Sequence, residues 1–354
     1  MGRELLSAGE ACWGRACLEV GASGEEPLRV VEGLHLLGEA RYEGWEGPAA
    51  VLVDGVSGEV FLGRPDDGGV LRRDLLASRV ECLVALARVV EGLGGGREYG
   101  PAGVAELVAA GRQRLREADP ELYRRTDGRP AHWEAALTVR ALAWGAEAGG
   151  AGELAYAVTP GLVQDLATAE GEGTVRRFGE DELPASVTHG PTRRLLVEVG
   201  LPVSEDCVLS VDAEGPLEGY EPEEGDEEEP SDRAYQRGFP VLGGWMYEFD
   251  VLLDGATGRV ELTDVWGDGG TAAYLHQDLS ALLYTLWTFH RLRAAREEAY
   301  RARKEAPWSV FDPCELFDGA AEEALRAIDP EAFASEEHFW PIRIDDGHMG
   351  SLLE

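Results

Sequence analysis

The residues that come nearest to a reactive site are His132-Trp133-Glu134, a histidine and a glutamate two positions apart, and a cysteine behind a proline at Pro313-Cys314. A zinc deaminase holds its metal with one such histidine and two cysteines in a PCxxC run, and uses the glutamate as general acid and base. Here the position of the second cysteine is Phe317, so one of three protein ligands is absent and that centre is not expected. The chain has no GxSxG nucleophile elbow, no glycine-rich loop followed by Lys and Ser or Thr, and no HExxH. Among the seven histidines only His276 and His290 lie near one helical stretch, and fourteen residues is about four turns, too far along an axis to share a metal. Asp345-Asp346-Gly347-His348 reads as a solvated turn. Cys12, Cys17, Cys82, Cys207 and Cys314 are scattered without CxxC spacing and read as buried free thiols. No catalysis, cofactor or metal is expected.

What the side chains offer instead is charge. The 354 residues carry 67 acidic against 32 basic side chains, a formal net charge of −35. Phosphate recognition draws on basic patches that release counterions, so nucleic acid is excluded as a partner and a protein with a basic surface is favoured. Solubility or salt adaptation is the competing reading of the same composition. The charge is densest at Glu223, Glu224, Asp226, Glu227, Glu228 and Glu229, inside a low-complexity stretch that reads as a solvated, self-repelling loop, an insertion at 214–232. Complementary charge speeds encounter, while tight holding needs apolar anchors. Trp266, between Asp264 and Asp268 in a glycine-rich stretch, is such an anchor candidate, with Trp245 and Tyr247 beside it. Trp245 has a counterpart in Trp45 and therefore reads as core.

The elements that must carry these residues occur twice. Gly44-Trp45, Val51-Leu52, Asp54-Gly55, Gly58, Val60 and Leu62 return 200 residues later as Gly244-Trp245, Val251-Leu252, Asp254-Gly255, Gly258, Val260 and Leu262. Leu115 to Glu121 resembles Leu325 to Glu331, each with an Asp-Pro, and His132-Trp133 and His338-Phe339-Trp340 follow. A period this long means duplicated domains. In the second copy Tyr247, Phe249 and Val251 alternate with acids before a glycine-bearing turn, which predicts a β-hairpin. Leu279, Leu282, Leu283, Leu286, Trp287 and His290 share one helical face, and Val80, Leu83, Val84 and Ala87 do the same in the first. A closing helix should end at each Asp-Pro, because proline disfavours helical geometry in the residue before it. Small residues from Gly145 to Gly152 suggest a boundary, giving domains at 1–146 and 153–354 with a linker at 147–152; Gly94-Gly95-Gly96 is a second break. No run approaches the roughly 18 apolar residues of a membrane span, and the start has neither the basic segment nor the apolar core of a signal peptide. A cytoplasmic protein with no membrane partner is expected.

These landmarks resemble the SUKH immunity-protein superfamily of bacterial polymorphic toxin systems, and in particular its fourth subfamily. Leu183-Pro184, Thr192 to Leu196 and Val199-Gly200-Leu201-Pro202 are similar to the family's lead-in to its first core strand. Asp254-Gly255 with Gly258 resembles its hairpin, and Ile328-Asp329-Pro330 with Phe339-Trp340 its terminal segment. At Leu275-His276-Gln277-Asp278-Leu279 the asparagine usual in the family is missing. The resemblance covers Glu153 onward and, through the repeat, Glu4 to Trp144. It implies an α+β fold, two tandem domains each with a mostly antiparallel sheet flanked by helices, the first divergent. It also implies a non-catalytic protein that neutralises a cognate toxin, such as a nuclease or nucleic-acid deaminase, by binding it. A non-catalytic scaffold, as in the fungal cell-wall regulators of the same superfamily, is the other function that the resemblance admits.

Overall fold

The computed structural model describes residues 10–13, 16–20, 30–31, 33–42, 49–65, 70–93, 100–128, 130–142, 154–169, 172–203, 209–211, 215–221, 235–245, 249–263, 273–303, 310 and 312–341. The expected linker at 147–152 and the break at Gly94-Gly95-Gly96 lie outside these residues. The chain is α+β and divides into two compact units, Met1–Ala143 with Leu292–Glu323 and Leu353, and Trp144–Arg291 with Ala324–Leu352 and Glu354.

The first unit is built on an antiparallel sheet of β1 (Glu10–Trp13), β2 (Ala16–Val20), β3 (Val30–Val31), β4 (Leu34–Tyr42), β5 (Ala49–Asp54), β6 (Val60–Pro65) and β7 (Leu71–Ala77), in the order β1-β2-β4-β5-β6-β7 with β3 also on β4. The expected hairpin is β5 and β6, and its turn is set by one carboxylate. Asp54 Oδ1 accepts the Val56 and Ser57 N–H groups at 2.8 and 2.9 Å, and Gly58 closes the turn at φ +76°, where a side chain would be strained. The Ser57 and Val56 amides hold the Asp54 carboxyl below the usual aspartate range. Four helices follow, α1 (Val80–Glu91), α2 (Gly100–Ala118), α3 (Pro120–Arg125) and α4 (Ala131–Leu142). α1 buries Leu83, Leu86 and Val90, a stripe at helical spacing. α2 ends one residue before Asp119-Pro120, as the proline requires. The Asp119 carboxylate is fully buried and bridges two elements: it caps α3 by accepting the Leu122 N–H at 3.0 Å and takes the Ser78 N–H, just past β7, at 2.7 Å. The Trp133 indole of α4 donates to the Leu76 carbonyl at 2.8 Å.

The second unit opens with α5 (Pro160–Ala167), capped by Thr159, and β8 (Thr174–Arg176), paired to β9 (Leu201–Val203). Between these strands α6 (Gly190–Arg194) widens into a π-helical turn at Leu195–Val199. Its main sheet is antiparallel, with β10 (Leu209–Ser210), β11 (Val241–Trp245), β12 (Phe249–Leu253), β13 (Val260–Leu262) and β14 (Tyr274–His276) in sequence order. The β12–β13 turn repeats the device of the first unit. Asp254 Oδ1 accepts the Ala256 N–H at 2.9 Å, and Gly258 has φ +85°. α7 (Leu279–Arg303), which passes into the first unit's share of the chain at Leu292, is buried around its whole circumference from Leu279 to Thr288, which accommodates the polar Ser280, Thr285 and Thr288 as well as the leucines. α8 (Pro313–Ile328), of which the second unit holds the end from Ala324, again stops before an Asp-Pro, and a 3₁₀ turn (Pro330–Phe333) leads to Phe339 and Trp340. Trp245 is fully buried, edge-on to both rings at 5.7 and 5.9 Å between centroids, so it belongs to the core.

Truncating Trp245 to Ala should therefore cost about 3 to 5 kcal/mol, measured by denaturant unfolding. His132 gives a pH signature. Burial pushes its pKa down from 6.5 to about 3, so between those values the unfolded chain binds the extra proton. Stability should fall on acidification below pH 6.5, by at most about 1.4 kcal/mol per pH unit from this group. His132→Leu should lose that part of the slope in urea titrations run at a series of pH values.

Candidate functional site

β13 is an apolar strand with one charged residue at its centre. Glu261 is fully buried, and everything around it is arranged to satisfy its charge. Arg259, two residues earlier and on the same face, forms an ion pair with Oε1. Oε2 accepts the Tyr235 hydroxyl at 2.7 Å and the Gln236 side-chain amide at 2.8 Å. Burial alone would weaken the charge on Arg259, but the Glu261 carboxylate outweighs it and raises the guanidinium pKa. Tyr235 also stacks edge-on against Phe239, with centroids 5.9 Å apart.

Tyr235 is the first described residue after the acidic run, so Glu261 ties the C-terminal foot of that run to the sheet. The N-terminal foot is tied by the main chain. The Tyr220 N–H donates to the Phe239 carbonyl and the Gly238 N–H to the Tyr220 carbonyl, both at 2.8 Å, and Glu221 pairs with Arg237 at 3.5 Å. Both feet thus stand on one short ladder. Glu223, Glu224, Asp226, Glu227, Glu228 and Glu229 lie between them, outside the described residues. Asp264, Trp266 and Asp268, with Tyr247, are also outside. Asp264 directly follows Thr263, which β12 holds through the Thr263 N–H to Asp250 carbonyl bond at 3.0 Å. The two sequence-predicted segments therefore leave the described structure beside the same strand. Nothing in the sequence marks the Glu261 cluster: alternation in a hairpin reads residue 261 as solvent-facing, whereas it is buried and bonded to Tyr235 and Gln236 from 26 and 25 positions earlier.

A second polar cluster lies behind β14. The Asp329 carboxylate, nearly fully buried, accepts the Gln277 N–H at 2.8 Å, the Tyr274 hydroxyl at 3.1 Å and His276 Nδ1 at 3.2 Å. The Trp340 indole donates to His276 Nε2 at 3.3 Å, which assigns the imidazole proton to Nδ1. Burial works to raise the Asp329 pKa, but His276, the Gln277 amide and Tyr274 together bring it below the ordinary value. Burial and the Asp329 charge push the Tyr274 hydroxyl pKa up. An aspartate and histidine so joined resemble two thirds of a nucleophilic triad, but the nitrogen that would serve as base is taken by an indole inside the core. The cluster is a fastening of strand to helix. Elsewhere, Glu134 of the HxE sequence receives the Arg112 guanidinium at 2.8 Å and the Tyr123 hydroxyl at 3.2 Å. No group of three or more His, Cys, Asp or Glu that could hold a metal occurs among the described residues, and no described helix is long and apolar enough to cross a membrane.

A family model described as SUKH-4 immunity protein matches residues 162–346, which is 185 of the 354 residues and includes both clusters. No curated protein and no solved structure matches the chain.

Removing the Glu261 carboxylate strands three donors, one of them on a buried side chain. Glu261→Ala should cost about 2 to 3 kcal/mol in urea unfolding. Glu261→Gln, which keeps an acceptor for Gln236, should cost about 1 kcal/mol. Equal losses in the two variants would show that the carboxylate charge carries the whole contribution, and that neither the packing of the side chain nor a neutral acceptor adds to it.

Proposed function

Because this chain belongs to the SUKH-4 immunity protein family, we propose that it neutralises a cognate protein toxin by binding and occluding it, without chemistry of its own. The toxin we have in view is a nuclease or nucleic-acid deaminase, whose substrate groove is basic because it must hold a polyanion. The observation that carries this reading is where the charge lies. The matched stretch holds 41 acidic and 15 basic side chains, and the rest of the chain 26 and 17. These are net charges of −26 and −9. Acidity serving only solubility or salt adaptation would be spread evenly. Here it gathers in the family's own stretch, and most densely in the run whose feet stand on the second sheet. An acidic face of this kind mimics the phosphate backbone in sign, so it competes for the surface the toxin needs.

The reading is tested by co-purifying the chain with the toxin domain encoded beside it and titrating that toxin's activity. Complete inhibition near one to one is expected, and binding without inhibition would favour a scaffold. Replacing Glu223, Glu224, Asp226, Glu227, Glu228 and Glu229 together by Ser should slow association with that toxin by about tenfold or more at low salt. The difference should shrink toward 1 M salt, where the Debye length is about 3 Å. The variant should stay folded, with thermal unfolding at or above that of the parent, because six fewer like charges repel one another.

A further inference from the structure

Five strands of the first sheet, β2-β4-β5-β6-β7, match the β10-β11-β12-β13-β14 order of the second, down to their irregularities. Leu36 pairs with Leu52 and Gly38 with Val51, so Leu37 bulges out of the β4–β5 ladder; Val241 pairs with Leu252 and Gly243 with Val251, so Leu242 does the same between β11 and β12. On the next ladder but one, Val60 pairs with Ala77 and Phe61 with Leu75, leaving Leu76. Val260 pairs with His276 and Glu261 with Tyr274, leaving Leu275. All four bulged residues are buried leucines. A bulge fixes local twist and re-aims side chains, so its position is a designed feature of a sheet. Two bulges at matching places are joined by matching turns, at Asp54 and Asp254, and by matching buried carboxylates. Asp119 takes the Ser78 amide at 2.7 Å and Asp329 the Gln277 amide at 2.8 Å, each one residue beyond the last strand.

The family model starts at residue 162, so none of the first set falls within it. We infer that residues 34–142 are a second copy of the SUKH-type fold, an inference that stands apart from the binding role proposed above.

It is tested by amide hydrogen exchange on the full chain carrying Asp119→Asn or Asp329→Asn. Asp119→Asn should speed exchange at Ser78 and along β7 at least tenfold and leave Gln277 as in the parent, and Asp329→Asn should do the reverse. Loss of protection throughout 34–142 alone would support the inference equally. Unchanged exchange at Ser78, or the same loss in both units, would overturn it. The measurement uses no toxin, so a failure of the proposed immunity role would not imitate its result.

Discussion

A carboxylate inside a protein must be answered by donors, and Asp329 is answered by a strand end, a histidine and a tyrosine. That obligation organises the second unit. Asp329 sits where α8 is forced to stop by Pro330, so the break in the helix and the place of the charge are one event in the sequence. Its donors come from β14 and the residue after it, more than fifty positions away, so satisfying the charge fixes the end of the sheet against the end of the helix. Trp340 then closes on His276, and Trp245 packs on Trp340. The buried charge adds directional bonds to the register that the β13–β14 ladder already sets. Asp119 does the same work in the first unit with fewer partners: Ala77 stands where His276 does, and the Trp133 indole reaches a backbone carbonyl instead of an imidazole.

Much of this was legible in the sequence. The hairpins could be read from alternation and the Asp-Gly turns, α1 and α7 from their apolar stripes, and the helix stops from Asp119-Pro120 and Asp329-Pro330. The repeat at a spacing of 200 located the strands that carry the bulges. What escaped reading depends on partners supplied from far along the chain. Glu261 has the pattern of a solvent-facing residue, whereas it is buried and bonded to Tyr235 and Gln236. His276 is one of seven scattered histidines until Asp329 and Trp340 arrive from more than fifty positions away. Trp245 could be read as core from its counterpart Trp45, whereas Trp266, Asp264, Asp268 and the acids from Glu223 to Glu229 fall outside the described residues, and their role rests on charge and position in the sequence.

The acidic character of the chain and its stability draw on different residues. The buried acids among the described residues, Asp119, Glu261, Asp278 and Asp329, are each bound by donors and hold the frame together. The net charge left over makes like charges repel one another, which opposes compactness, and a partner's opposite charge can relieve that repulsion. Binding would then remove a strain that folding left in place.

The fastening at the end of each sheet takes a main-chain N–H, supplied by Ser78 in one unit and by Gln277 in the other. Every amino acid except proline offers that donor, so the joint does not specify the side chain that stands on it. Ser78 and Gln277 can therefore be exchanged for other residues, and the outward chemistry at these two positions altered, while the joint beneath them keeps its donor.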